Sequence, residues 1–260
     1  MSSTFDLSGK RAIVTGGAGD IGSAISKELR RHGAEVTIID ISSKTAARAE
    51  EIAQVPGPGE VHMIQADLSS RDGIREAFSG AMDIMRGVDI LVNCAGIIRR
   101  CKAEDFSEKD WDEVLEVNLT TTFLFCQLAG REMLKQNYGR IINIASMNSF
   151  TGGVLVASYA ASKSAVSMVT KSLSNEWAGR GICVNAIAPG YIATQLNTFF
   201  HGQDRPEEGK RQYDIITSRI PKGRWGVAED IAGPAVFLAS DAAEYVTGIT
   251  LCVDGGLMGR

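Results

Sequence analysis

The 260-residue sequence predicts a single-domain α/β protein with a doubly wound, seven-stranded parallel sheet. Three observations lead there. Seven short apolar runs recur along the chain, and most are apolar on both faces, as strands between two helix layers must be. Longer segments with a helical period separate them, the alternation that βαβ units require. No linker-like stretch, internal repeat or low-complexity tract divides the chain, so residues 1–260 read as one domain.

The elements follow in order. A first strand is expected at 11–15 (RAIVT), then a glycine-rich turn and a helix over about 22–32. The second strand is 35–40 (EVTIID), followed by a helix at 43–54 and the turn "PGPG" at 56–59. Strand three is 61–65 and its helix 71–86; strand four is 88–93 (VDILVN) and its helix the long pattern 107–136. Strand five is 139–146, helix 157–179, strand six 182–188, helix 228–239 and strand seven 249–254. The stretch 191–225 is irregular, polar and aromatic between two sheet elements, and is expected to form a lid over a site.

Composition excludes several classes. The chain is 44% hydrophobic and 22% charged with a net charge of -4, and its basic residues do not cluster beyond pairs such as Arg30-Arg31 and Arg99-Arg100. Nucleic acid and anionic membrane surfaces are therefore not expected partners. No run has the roughly 20 apolar residues of a membrane span, and the N-terminus lacks a signal-peptide core. The five scattered cysteines form no C-x-x-C pair, and the three histidines share no metal-ligand spacing. A reducing cytoplasm and no metal are the expectation.

The turn "TGGAGDIG" (15–22) lies between a strand and a helix, the context of a dinucleotide-binding loop. Gly16 suits a tight turn, Gly19 permits close approach to a pyrophosphate, and Gly22 permits close helix packing. Phosphates would face the free N–H groups of the helix start. Asp20 interrupts the loop with a negative charge. Placed in the helix's first turn, it can cap free N–H groups with its carboxylate turned away from the phosphates. Asp40 ends the second strand, where a carboxylate accepts hydrogen bonds from ribose hydroxyls and repels a 2′-phosphate. That predicts NAD over NADP. Asp67 follows the third strand, placed to meet the adenine. Asn93 and Ala95 belong to "NCAG", small residues at the end of strand four.

Tyr159 and Lys163 lie four residues apart on one helix face. A phenol with an ordinary pKa of about 10 is a poor base. A neighbouring ammonium stabilises its phenolate, and the pair could then move a proton to or from a substrate oxygen. Ser146 ends strand five and can hold that oxygen. Asn118, within 107–136, could hold a water against Lys163 as a proton relay.

These motifs, with "PGYIAT" (189–194) and "VDGG" (253–256), match those of the short-chain dehydrogenase/reductase family in order and spacing over essentially the whole chain. The sequence resembles that family. The resemblance implies a Rossmann fold, NAD(P)-dependent interconversion of alcohol and ketone by Asn118, Ser146, Tyr159 and Lys163, and a homotetramer. It adds Ile21, Leu68, Pro189, Gly190, Ile192 and Thr194 to the residues expected around the cofactor, with Asp20 among them. Two departures stand out. Asp20 occupies a usual glycine, giving the spacing of the family's extended members, and Cys94 replaces the second asparagine of "NNAG".

Finer features, "NCAGIIRR" (93–100), "INIASMNSFTGG" (143–153) and "IPKGRWG" (220–226) among them, resemble the family's sugar-acid dehydrogenases. The expected substrate is a small keto-deoxy sugar acid. Arg99 and Arg100 follow strand four at the carboxyl edge of the sheet, and either could hold a carboxylate; Arg99 is the one taken as a substrate residue here. Arg224 has a weaker case. The alternatives are a gluconate or polyol dehydrogenase, another carbonyl reductase, or a regulator that only binds the nucleotide. The intact set Asn118, Ser146, Tyr159 and Lys163 speaks against the last.

Overall fold

The computed structural model describes residues 4–194 and 206–259. Seven strands form one sheet, every pair parallel, in the order β3-β2-β1-β4-β5-β6-β7. They are β1 Arg11–Thr15, β2 Glu35–Asp40, β3 Val61–Gln65, β4 Ile90–Asn93, β5 Gly139–Ile144, β6 Ile182–Pro189 and β7 Thr250–Val253. The helices are α1 Asp20–Arg31, α2 Thr45–Ala53, α3 Arg71–Met85, α4 Glu108–Leu115, α5 Thr121–Gln136, α6 Ala157–Trp177, α7 Pro206–Thr217 and α8 Glu229–Ala239.

The central strands explain the doubly apolar runs. β4, β5 and β6 are buried at every position. Alternate residues enter two cores. Val14, Ile38, Ile90 and Ile142 face α1 and α8, while Ile13, Ile39, Leu91 and Ile141 face α3 and α5. β4 starts at Ile90 rather than 88, and Asp89 before it pairs with Arg11 at 2.7 Å. None of the described helices is long and apolar enough to cross a membrane.

The segment expected as one helix over 107–136 is continuous but not uniform. Ser107 caps its start, its Oγ accepting from Asp110 N at 3.0 Å. Between α4 and α5, Glu116–Thr120 widens into a π-helical stretch. The wider turn shifts the helical phase and puts Asn118 fully inside.

The region expected as a lid is described only in part, because 195–205 lies outside the described residues. Ile192 bridges in parallel to Gly226. Ile216, Ile220 and Trp225 form a small apolar cluster of their own, with Tyr213 stacked on Trp225 at 5.1 Å.

Candidate active site

The strand order reverses between β1 and β4, so their outgoing loops diverge and leave a crevice at the carboxyl edge. A cleft of about 1730 Å³ fills that position. It runs from the glycine loop and Asp40 at one end to Ser146, Tyr159 and Lys163 at the other.

The nucleotide end is set by close backbone contacts. Gly16 has φ +66°, and a Cβ there would lie 2.7 Å from Ala95 N. A Cβ on Gly22 would lie 2.2 Å from the Gly16 carbonyl oxygen, so Gly22 packs the start of α1 on the loop itself rather than on the sheet. Gly17 makes the sheet contact, where a Cβ would meet Ile38 Cβ at 2.5 Å. A Cβ on Gly19 would meet only Gly16 O, at 3.3 Å, which leaves its open side to the cleft. Gly19 is the N-cap of α1 and Asp20 its first residue. Asp20, Ile21 and Gly22 line the cleft with Asp67 and Leu68. Asp40 Oδ2 accepts from Ala18 N and Oδ1 from Ser42 N, both at 3.0 Å. Thr15 is a positioning residue that the motif reading missed. Its buried Oγ1 accepts from Cys94 N and Ala95 N at 3.2 Å each and holds the loop after β4 over the cleft.

At the other end, α6 presents Tyr159 and Lys163 on one face. Lys163 is 4% exposed, and its Nζ donates to the Ile144 carbonyl at 2.7 Å. Burial holds that amine down to about 8. Tyr159 also departs from the simple expectation. Burial raises its phenol, the Ser146 hydroxyl and the Arg100 guanidinium act to lower it, and Lys163 Nζ stands 5.8 Å from the ring centroid. Arg100 is thus a cation acting on this phenol, after burial and the Ser146 hydrogen bond. Burial pushes the Cys94 thiol up to about 12, which leaves it neutral at the cleft floor. Pro189 at the end of β6 and Gly190, Ile192 and Thr194 beyond it line the cleft, joined by Leu257 and Met258, which no motif had marked.

Two expectations need correction, those for Arg99 and Asn93. Arg99 does not line the cleft. It is held on α4, donating to Glu113 Oε1 at 2.9 Å, while its neighbour Arg100 lines the cleft and is partly buried. Asn93 is also absent from the lining. It is 3% exposed and ties β4 to β5, donating to Asn143 Oδ1 at 2.8 Å. Asn118 is held by direct protein partners. Its Oδ1 accepts from Ile97 N at 2.8 Å, and its Nδ2 donates to Ile97 O at 3.0 Å and Ser162 Oγ at 3.1 Å. Gly96 lies between Asn118 and Lys163, since a Cβ there would be 3.3 Å from Asn118 Oδ1 and 3.4 Å from Lys163 Nζ. Arg224 pairs with Asp230 at 2.7 Å, outside the lining.

A family model described as enoyl-(acyl carrier protein) reductase matches residues 16–258. A 2-dehydro-3-deoxy-D-gluconate 5-dehydrogenase of Bacillus subtilis is 49% identical over 98% of this chain and 97% of its own length. The chain belongs to the short-chain dehydrogenase/reductase family. Two solved structures are closely similar. One, described as an NAD(P)-dependent gluconate 5-dehydrogenase from Beutenbergia cavernae with NADP at low occupancy, has a TM-score of 0.92 and 44% identity, covering 99% of this chain and 100% of that one. The other, described as a 2-deoxy-D-gluconate 3-dehydrogenase from Agrobacterium tumefaciens with bound NADP, has a TM-score of 0.90 and 43% identity at the same coverage. This short-chain dehydrogenase is an oxidoreductase using a pyridine nucleotide.

Proposed function

We propose that the protein interconverts a secondary alcohol and a ketone on a small keto-deoxy sugar acid, with NAD as its cofactor. The observation that carries this reading is a single cleft that joins a glycine loop and Asp40 to Ser146, Tyr159, Lys163 and Arg100. The names of the relatives reported above support the sugar-acid class.

The residues fit a dinucleotide. The open side of Gly19 and the N–H groups of the first turn of α1 suit a pyrophosphate. The Asp40 oxygens retain lone pairs for ribose hydroxyls. The bound nicotinamide would exchange a hydride with the carbinol carbon. In reduction, Tyr159, a protonated phenol at neutral pH, gives its proton to the carbonyl oxygen. In oxidation its phenolate takes that proton back. Ser146 donates a hydrogen bond to the same oxygen. Lys163 fixes the floor beneath Tyr159 through Ile144. Arg100 takes the place first given to Arg99. From the cleft wall its guanidinium can hold the substrate carboxylate bidentately. We further propose the cytoplasm as location and a homotetramer as assembly, on the family resemblance.

The test follows NADH absorbance with purified protein and a panel of keto and hydroxy sugar acids, polyols and acyl thioesters, with NADPH in parallel. Turnover of a 3-deoxy-hexulosonate supports the reading. Activity on neutral polyols or thioesters alone would remove the sugar-acid assignment and keep the family.

A further inference from the structure

We infer that Glu35, Glu60 and His62 form a binding site for one divalent transition-metal ion of the zinc class, which clips the edge strand β3 to β2. The site is separate from the cleft and independent of the reaction proposed above. Glu35 opens β2, Glu60 precedes β3 and His62 is the second residue of β3, so all three stand at the strand starts. The cleft lies at the opposite, carboxyl edge, and none of the three lines it. No spacing in the sequence marks the site, because Glu35 lies 27 positions from His62 and strand pairing alone brings them together.

The three side chains bring one ligand atom each within 4.8 Å of the others. His62 Nε2 stands 3.0 Å from Glu35 Oε1 and 3.6 Å from Glu60 Oε2. Ligands at about 2.1 Å from a tetrahedral zinc ion lie about 3.4 Å apart, so these separations already suit one. Two carboxylates balance a doubly charged ion, and the imidazole nitrogen favours zinc over magnesium or calcium. The Glu60 side chain is 80% exposed, which leaves room for water in the fourth position. Arg11 is the register partner of Glu35 on β1, but its Nε and Nη2 donate to Asp89 at 2.7 and 3.0 Å. The Glu35 carboxylate is thus left to the imidazole.

A second observation points to a ligand there. Thr37 is fully buried, and its Oγ1 has no hydrogen-bond partner. It pairs in register with His62, and Glu35 lies two residues before it on β2, so the three side chains leave the same face of the sheet. A metal-bound histidine donates its other ring N–H to a fixed acceptor, which sets the tautomer. With Nε2 turned to the two carboxylates, Nδ1 is the donor, and the Thr37 hydroxyl is the spare acceptor on its face. A buried hydroxyl without a partner is costly, and ligation gives this one a use.

The test is calorimetric titration of the metal-free full chain with Zn²⁺, and with Mg²⁺ in parallel, with the thermal midpoint followed in each. Wild type is expected to bind an equivalent of Zn²⁺ and to melt higher with it, while Mg²⁺ does neither. His62→Gln should abolish that binding and the rise in midpoint. Thr37→Val should weaken the binding by about tenfold, and Glu60→Gln by more. Glu60 is exposed, so its variant keeps the test sound if another fails to fold. Zn²⁺ bound equally by wild type, His62→Gln and Glu60→Gln would be held by other side chains, such as the exposed Cys252, and the inference would fall. It would also fall if Mg²⁺ bound as tightly as Zn²⁺, the behaviour of a bare acidic patch, or if wild type took up no Zn²⁺.

Discussion

Replacing Lys163 with methionine is expected to stabilise the folded protein at pH 7 while removing its activity. The side chain is 4% exposed, and burial lowers its amine from 10.5 to about 8. At pH 7 the folded state holds an ammonium it disfavours. The shift corresponds to about 3 kcal/mol of lost stability. Methionine has a similar shape and no charge. It gives up the hydrogen bond to the Ile144 carbonyl, worth about 1 kcal/mol. The net gain is then about 2 kcal/mol at pH 7. Its pH dependence has a definite sign. Between about 8 and 10.5 the folded amine has released its proton while the unfolded chain retains it, so wild-type stability climbs with pH across that window. The advantage of the variant shrinks there and should be close to zero near pH 9.5. Urea denaturation of both proteins without nucleotide, at pH 7 and 9.5, measures this. A variant less stable than wild type at pH 7, or a difference that does not change with pH, would refute the burial argument.

Other outcomes are expected from the same geometry. Arg100→Gln should raise the KM for a sugar-acid substrate by about 30-fold, the loss of a charge-assisted bidentate pair, whereas Arg99→Gln should change it little. The same Arg100 variant should move the acid limb of the oxidation pH profile upward, because Arg100 is a cation that lowers the Tyr159 phenol; an unmoved limb would remove that role. Gly16→Ala places a Cβ 2.7 Å from Ala95 N at φ +66°. It should abolish nucleotide binding in calorimetry and destabilise the fold by about 2 kcal/mol or more.

The fold was legible because its signal is repeated and local. Runs such as RAIVT and ICVNAIA are apolar on both faces, and only a strand between two helix layers needs that. The glycine loop was legible as a loop, since strand, turn and helix all had to agree. The roles of Gly16 and Gly19 were legible too, whereas the contacts of Gly17 and Gly22 were not, because which neighbour each one touches depends on how β2 and α1 pack. Arg99 and Arg100 could not be separated by sequence. Adjacent loop residues have no period to tell wall from surface, and Glu113, which claims Arg99, lies 14 positions away on α4. Asn118 was visible as a polar residue in an apolar pattern, but the π stretch that turns it toward Ile97 leaves no mark on a 3.6-residue period. The Tyr159–Lys163 spacing fixed a shared helix face and said nothing about burial, which shifts the titration of both groups.

The account turns on proton transfer by Tyr159, and Tyr159→Phe tests it most directly. Single-turnover reduction of a 3-deoxy-hexulosonate should be followed by NADH absorbance, with nucleotide affinity measured by calorimetry on the same preparation. The expected result is a loss of about 1000-fold in the hydride-transfer rate with nucleotide affinity nearly unchanged. A variant that keeps wild-type turnover would contradict the account, whatever substrate it turned over.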